Sequence, residues 1–243
     1  MLTIRKASDR GVADFGWLNS HHTFSFGNYF DPEHMGFGVL RVINDDRVAG
    51  GGGFATHSHR DMEIISYVID GALEHKDNIG NGSVIKPGDV QRMSAGTGIS
   101  HSEYNHSETD IVHFLQIWII PEKKDIEPGY EQKYFDPTHN HGQLKLVGSK
   151  DGRDGSITIH QDVNLYSAHL GNGDHLTYPL ADDRQVWIQV IRGLLMVNDQ
   201  ILSAGDGAAI TSGLSGPNDA SIQIGSAANQ TELLVFDMAG KKR

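Results

Sequence analysis

Apolar and polar residues alternate with a period of two along most of this chain, the spacing of strands that cover a core with one face. Residues 37–43 read as a strand ending in an Asn44-Asp45-Asp46 turn, and residues 62–69 as a β-branched, aromatic strand stopped by Asp70-Gly71. Residues 111–120 form another, closed by Pro121, and the style returns at 187–191 and 233–236. No stretch carries the 3.6-residue apolar period over three turns, so a substantial helix is not expected. Residues 122–133 are charged, contain Pro128-Gly129 and lack periodicity, which reads as a linker.

The pattern repeats. Val68-Ile69-Asp70-Gly71-Ala72-Leu73 is echoed by Val190-Ile191-Arg192-Gly193-Leu194-Leu195, and a Gly-Asp pair follows each, Gly88-Asp89 and Gly205-Asp206. Two similar all-β units are the simplest account: 1–121, a linker at 122–133, and 134–243.

Composition narrows the chemistry. With 243 residues, 29 glycines and 7 prolines, the chain is long enough for two small domains rich in tight turns. A net charge of -11 repels phosphate backbones, so no direct nucleic-acid contact is expected. No apolar run approaches the ~20 residues of a membrane span, and the first residues lack a signal-peptide core. The chain therefore reads as soluble and cytoplasmic, with no membrane contact. Its cysteine count is zero, which removes disulfides, thiol nucleophiles and thiolate metal sites. Any metal must be held by carboxylates and by some of the 14 histidines.

Two segments have ligand spacing. His57 and His59 lie two apart in a strand-like stretch after Gly51-Gly52-Gly53, so both imidazoles project to one face. His101 and Glu103 repeat the spacing after Gly98. Facing each other across a barrel, these strands would bring three nitrogens and one oxygen to one divalent ion. A six-coordinate ion held this way keeps positions for water, oxygen or substrate, whereas a structural zinc would be closed and tetrahedral. Spacing alone leaves both outcomes open. Nearby, His113 alternates with Ile111, Leu115 and Ile117 and reads as a hydrogen-bonded core histidine. His75, in Leu73-Glu74-His75-Lys76-Asp77, is a candidate for the pocket mouth or the surface.

Gly51-x5-His57-x-His59-x3-Glu63 resembles the first cupin motif, and Gly98-x2-His101-x3-Asn105 the end of the second. More specifically, His22-Thr23-Phe24-Ser25-Phe26, the run 36–46, the run 57–63 and the run 94–103 resemble the pirin family, in particular bacterial pirins with two cupin domains. The likeness is dense in the first half and looser in the second. Two departures stand out: Ser58 occupies a usual proline between the histidines, and Gly96 occupies another usual proline.

The resemblance implies an all-β fold of two cupin (double-stranded β-helix, jelly-roll) β-barrel domains packed together. It implies one divalent transition metal, iron leading and zinc, nickel, copper, cobalt or manganese open, on His57, His59, His101 and Glu103. Glu63 ligates in many other cupins and is kept as an alternative ligand or neighbour of the site. The implied activity is quercetin 2,3-dioxygenase-type cleavage of a flavonol with O2 and release of CO, with Glu103 as the catalytic group taking the hydroxyl proton. The alternative is a non-catalytic, metal-dependent regulator that binds a protein partner. Aligning the repeats puts Pro179, Ala181, Asn218 and Ala220 at the four ligand places of the second unit, so that unit is expected to lack a site.

Overall fold

The structure is a computed structural model and describes residues 1–211 and 221–240, with the backbone alone at 139 and 140. The first strands are β1 (Leu2–Arg5), β2 (Gly11–Asp14), β3 (Leu18–His22), β4 (Leu40–Val48), β5 (Gly53–His59), β6 (Glu63–Asp70), β7 (Leu73–Asp77) and β8 (Gly82–Ile85). They continue with β9 (Asp89–Ser94), β10 (Ile99–Asn105), β11 (Val112–Ile119), β12 (Gly129–Tyr134), β13 (Lys145–Ser149), β14 (Ile157–Thr158) and β15 (Val163–Leu170). The last are β16 (His175–Pro179), β17 (Arg184–Arg192), β18 (Leu194–Val197), β19 (Gln200–Ser203), β20 (Gly207–Thr211), β21 (Ser221–Ser226) and β22 (Thr231–Ala239). Helix among the described residues is confined to single 3-10 turns such as Ala7–Asp9.

The chain divides into two compact units. One comprises Gly11–Phe135 with Lys150–Gln161, and the other Met1–Arg10, Asp136–Ser149 and Asp162–Arg243. The opening ten residues thus group with the later unit: Leu2 to Arg5 pair antiparallel with Ile210 to Gly207, while Leu2 and Ile4 cover that unit's core. The stretch read as a linker carries β12, paired along its length with β9. Its residues are half-buried on both faces, so no alternation announces it.

Within the first unit, a sheet ordered β12-β9-β6-β11-β4-β3-β2 faces a smaller one ordered β5-β10-β7-β8. In the second, β20-β17-β22-β15 and β16-β21-β18-β19 repeat the orders β9-β6-β11-β4 and β5-β10-β7-β8 with every strand eleven places later. The duplication read from the glycines is therefore topological. Gly71 and Gly193 both turn with left-handed φ, +78° and +79°, as do Gly88 and Gly205 at +92° and +85°. That backbone favours glycine. Each unit is a jelly roll of two separate sheets, and among the described residues neither closes into one continuous hydrogen-bonded barrel.

One strand boundary corrects the sequence reading. Asn44-Asp45-Asp46 is not a turn, because β4 runs through it to Val48, and all three residues are buried. Polar residues look like punctuation in a sequence, but Asn44 and Asp46 line a cavity here. Gly96, in place of proline, has φ +47°, and a Cβ there would collide with the Ile126 carbonyl oxygen. Proline, fixed near -65°, does not fit this backbone.

Candidate metal centre

His57 and His59 stand on β5, and His101 and Glu103 on β10, the neighbouring antiparallel strand. Ser58 and Ser100 are register partners, and their hydroxyls bond at 2.7 Å. The serine that replaces the usual proline therefore adds a cross-strand tie between the two ligand-bearing strands. His57 faces His101 in register, and ring centroids in the trio lie 4.5 to 5.0 Å apart. One nitrogen from each of His57, His59 and His101 falls within 4.8 Å of the others.

Electrostatics keep two of these rings neutral. Burial, reinforced by His101 and His57, pulls His59 down to about 4, and burial with His57 and His75 nearby pulls His101 down to about 3. Neutral imidazole is the ligating form. The His57 Nδ1 lies 2.8 Å from the carbonyl oxygen of Ala55, which only accepts, so Nδ1 is the donor in this contact and Nε2 is the nitrogen left for a metal. His101 Nε2 is buried and has no hydrogen-bond partner. A buried, unpaired nitrogen beside two others of the same kind fits a divalent cation.

Glu103 keeps the parity of His101, both being buried on β10, but its pairing with β5 is irregular. The β5–β10 register shifts between His101 and Glu103, pairing Glu103 with Phe54. Its carboxylate falls within 4.8 Å of ring nitrogens of His101 and His75. Both oxygens are engaged: Ser66 Oγ donates to Oε1 at 3.0 Å and Gln116 Nε2 to Oε2 at 2.7 Å. Glu103 nevertheless opens on the same cavity as His57 and His59.

That cavity, about 460 Å³, lies between the two sheets of the first unit. Phe26, Phe54 and Trp118 line it, and Trp118 sits edge-on to both Phe26 and His59, with centroids 5.3 and 5.0 Å away. Polar atoms on the opposite sheet are unpaired although buried: Asn44 Oδ1, Asp46 Oδ1, Gln116 Oε1 and the Trp118 indole nitrogen. Asn44 and Gln116 are register partners on β4 and β11, and Ser66 on β6 continues the row toward Glu103. Burial pushes the Asp46 carboxyl up to about 7 against a hydrogen bond from Ser20, with Asp45 and Glu103 adding repulsion.

Three other candidates fall elsewhere. Glu63 is fully buried, and its Oε2 accepts from the backbone N–H and from Nδ1 of His160, each at 3.0 Å. It lies outside the histidine cluster and holds the returning segment 150–161 onto the first unit. His113 bonds Asp45 Oδ1 at 2.7 Å and does not line the cavity. His75 is at neither the mouth nor the surface. It is wholly buried behind His101. Asp77, beside it, was not anticipated as part of the site. In the second unit, Pro179 is exposed and Asn218 and Ala220 lie outside the described residues.

Two jelly rolls with one shared strand order define a bicupin, and its first unit carries the histidine cluster. Residues 4–119 match the Pirin family model, and residues 146–238 match the quercetinase C-terminal cupin domain. A quercetin 2,3-dioxygenase from Escherichia coli (strain K12) is 48% identical over 238 residues, covering 98% of this chain and 99% of that protein. The crystal structure of YhhW from Escherichia coli superposes with a TM-score of 0.92 at 46% identity, covering 100% of both chains. Bacterial pirin YhhW in complex with nickel(II), also from Escherichia coli, gives 0.91 at 46% identity, covering 99% of this chain and 100% of that one. The chain belongs to the pirin family.

Proposed function

We propose that His57, His59 and His101 hold one divalent transition-metal ion with Glu103 as the fourth donor. On this reading the protein is an oxidoreductase of the quercetin 2,3-dioxygenase type. The observation that carries the reading is the trio of imidazoles, two of them held neutral, of which His57 and His59 open beside Glu103 on an aromatic-lined cavity of ligand size. The nickel(II) complex of the related pirin and the name of the Escherichia coli relative support it. Nitrogen and carboxylate donors suit the first-row series from manganese to zinc, so the ion loaded follows supply as well as affinity.

A bound divalent ion supplies Lewis acidity, lowering the pKa of a hydroxyl held against it. The residues do the rest. Phe26, Phe54 and Trp118 provide flat walls for a planar polyphenol, and the unpaired atoms of Asn44, Asp46, Gln116 and Trp118 meet its hydroxyl and carbonyl groups. Glu103, steadied by Ser66 and Gln116, accepts the proton of the flavonol 3-hydroxyl. Overall, both atoms of O2 enter the product, the central ring opens, and one ring carbon leaves as carbon monoxide.

The test is an oxygen-electrode assay with quercetin and the full chain loaded with nickel(II) or iron(II), alongside carbon monoxide trapping. One O2 consumed and one CO released per quercetin is expected. His101→Ala should lose the ion and the turnover together, and Glu103→Ala should lose at least turnover. If no ion supports turnover of any flavonol while one protein partner is captured repeatedly, the protein is a metal-dependent regulator instead.

A further inference from the structure

Asp77 is a fully buried carboxylate at the end of β7, and it accepts four hydrogen bonds. The backbone N–H groups of Ile79 and Asn81 reach Oδ1 at 3.1 and 2.9 Å, and Asn81 Nδ2 reaches Oδ2 at 2.9 Å. The fourth donor is His75 Nε2, 3.2 Å from Oδ2. Burial opposes ionisation, but the bonds from Asn81 and His75 outweigh it and hold the Asp77 carboxyl below its ordinary range. An ionised carboxylate only accepts, so the proton of this contact belongs to His75 Nε2.

The consequence passes through the ring. With one proton per imidazole, His75 Nδ1 keeps a lone pair. That atom lies 3.5 Å from His101 Nδ1, at the long end of hydrogen-bond reach, with the rings 5.3 Å apart. His101 Nδ1 must then be the donor, and His101 Nε2, the buried nitrogen without a partner, must be bare. Register fixes the arrangement. His101 pairs with Asp77 and Glu103 with His75 on the β10–β7 ladder, so the relay is built into adjacent strands. Tyr130 covers the far side of His75 at 5.0 Å between centroids and restricts its rotation.

We propose that Asp77 and His75 form a buried relay that positions His101, fixing its Nδ1–H tautomer so that Nε2 presents a lone pair to the metal. On this reading neither residue is a ligand, although His75, His101 and Glu103 also bring their donor atoms within 4.8 Å of one another. Both are positioning residues, and the inference rests on the reading of His57, His59 and His101 as ligands. Partners of this kind are typically worth 10–100-fold in metal affinity.

Asp77→Asn tests the direction of the relay. One amide oxygen can still receive the turn N–H groups, but the amide nitrogen facing His75 is a donor and inverts the chain of bonds. His101 would then carry its proton on Nε2. Nickel(II) affinity of the full chain, measured by chelator competition, is expected to fall 10–100-fold. Long-range ¹H–¹⁵N spectra of the metal-free chain should move His101 from the Nδ1–H to the Nε2–H tautomer, a signature that mere loosening would not produce. His75→Ala should weaken nickel(II) binding to a similar extent. His75→Asn, whose side-chain oxygen replaces the lost acceptor, should recover much of it.

The failures separate. If the wild-type chain does not bind nickel(II), the metal reading falls and the relay with it. If the wild type binds but Asp77→Asn keeps its affinity and tautomer, or wild-type His101 is found as Nε2–H, the relay alone is overturned.

Discussion

Ser66→Ala isolates what holds Glu103 in place. Ser66 and Glu103 are both almost wholly buried, and the serine hydroxyl donates to Oε1 at 3.0 Å. Alanine removes one oxygen atom, creates little cavity, and leaves a buried carboxylate oxygen without its donor. A hydrogen bond to a charged group is worth about 1.5–3 kcal/mol. For a chain of this length each kcal/mol moves the melting temperature by about 2–4 °C, which multiplies to a fall of about 3–12 °C. Gln116 is a poorer probe, because an apolar replacement would also remove its unpaired Oε1 and offset part of the loss. The assay is thermal unfolding of the metal-free protein, repeated in a Glu103→Gln background. There the bond is between neutral groups and worth about 0.5–1.5 kcal/mol, so the serine effect should shrink by roughly half. Equal melting temperatures for Ser66→Ala and wild type, or an undiminished effect beside Gln at 103, would refute the claim that this hydroxyl anchors the carboxylate.

Two further outcomes follow from the same geometry. Glu63→Gln should leave metal content unchanged by elemental analysis while making 150–161 more susceptible to limited proteolysis, because Glu63 clamps His160. Loss of the ion in this variant would return Glu63 to the ligand set. In acid, His59 and His101, depressed to about 4 and 3, withhold protons that the unfolded chain binds below about 6.5, so metal-free stability declines as pH falls from there. Asp46, raised to about 7, takes up its proton in the folded state well before the unfolded chain does and opposes that decline. Asp46→Asn should therefore steepen the acid loss between pH 6.5 and 4, as read by denaturant titrations at several pH values. An unchanged slope would contradict the burial of Asp46.

The histidine trio was legible because strand parity is strict: residues two apart share a face, and two glycine-bounded segments each offered such a pair. The same parity put Glu103 beside His101, but its pairing opposite Phe54 was not legible, since a register shift between neighbouring strands leaves no mark in either sequence. Asp77 escaped for another reason, and His75, a candidate for the mouth or the surface, was placed too far out. Set among Glu74 and Lys76 they look like a charged stretch, yet alternation sends Lys76 outward and buries His75 and the Asp77 side chain. The same logic hid the true length of β4, where buried polar side chains served the cavity rather than a turn. Gly71, Gly193, Gly88 and Gly205 carried the duplication well, because their backbone geometry tolerates few other residues. The affiliation of β1 with the later unit had no local signal at all, being a contact across some two hundred residues.

That distant pairing bears on how the protein is made. Leu2–Arg5 leaves the ribosome some two hundred residues ahead of its partner, Gly207–Thr211. Until then the nascent leading segment has no sheet to join, and closing so long a loop is slow compared with local hairpins. A fragment beginning after Arg10 would expose the bare backbone edge of Gly207–Thr211, an invitation to pair with other chains. A short strand from far back in the chain thereby covers an edge that would otherwise invite self-association.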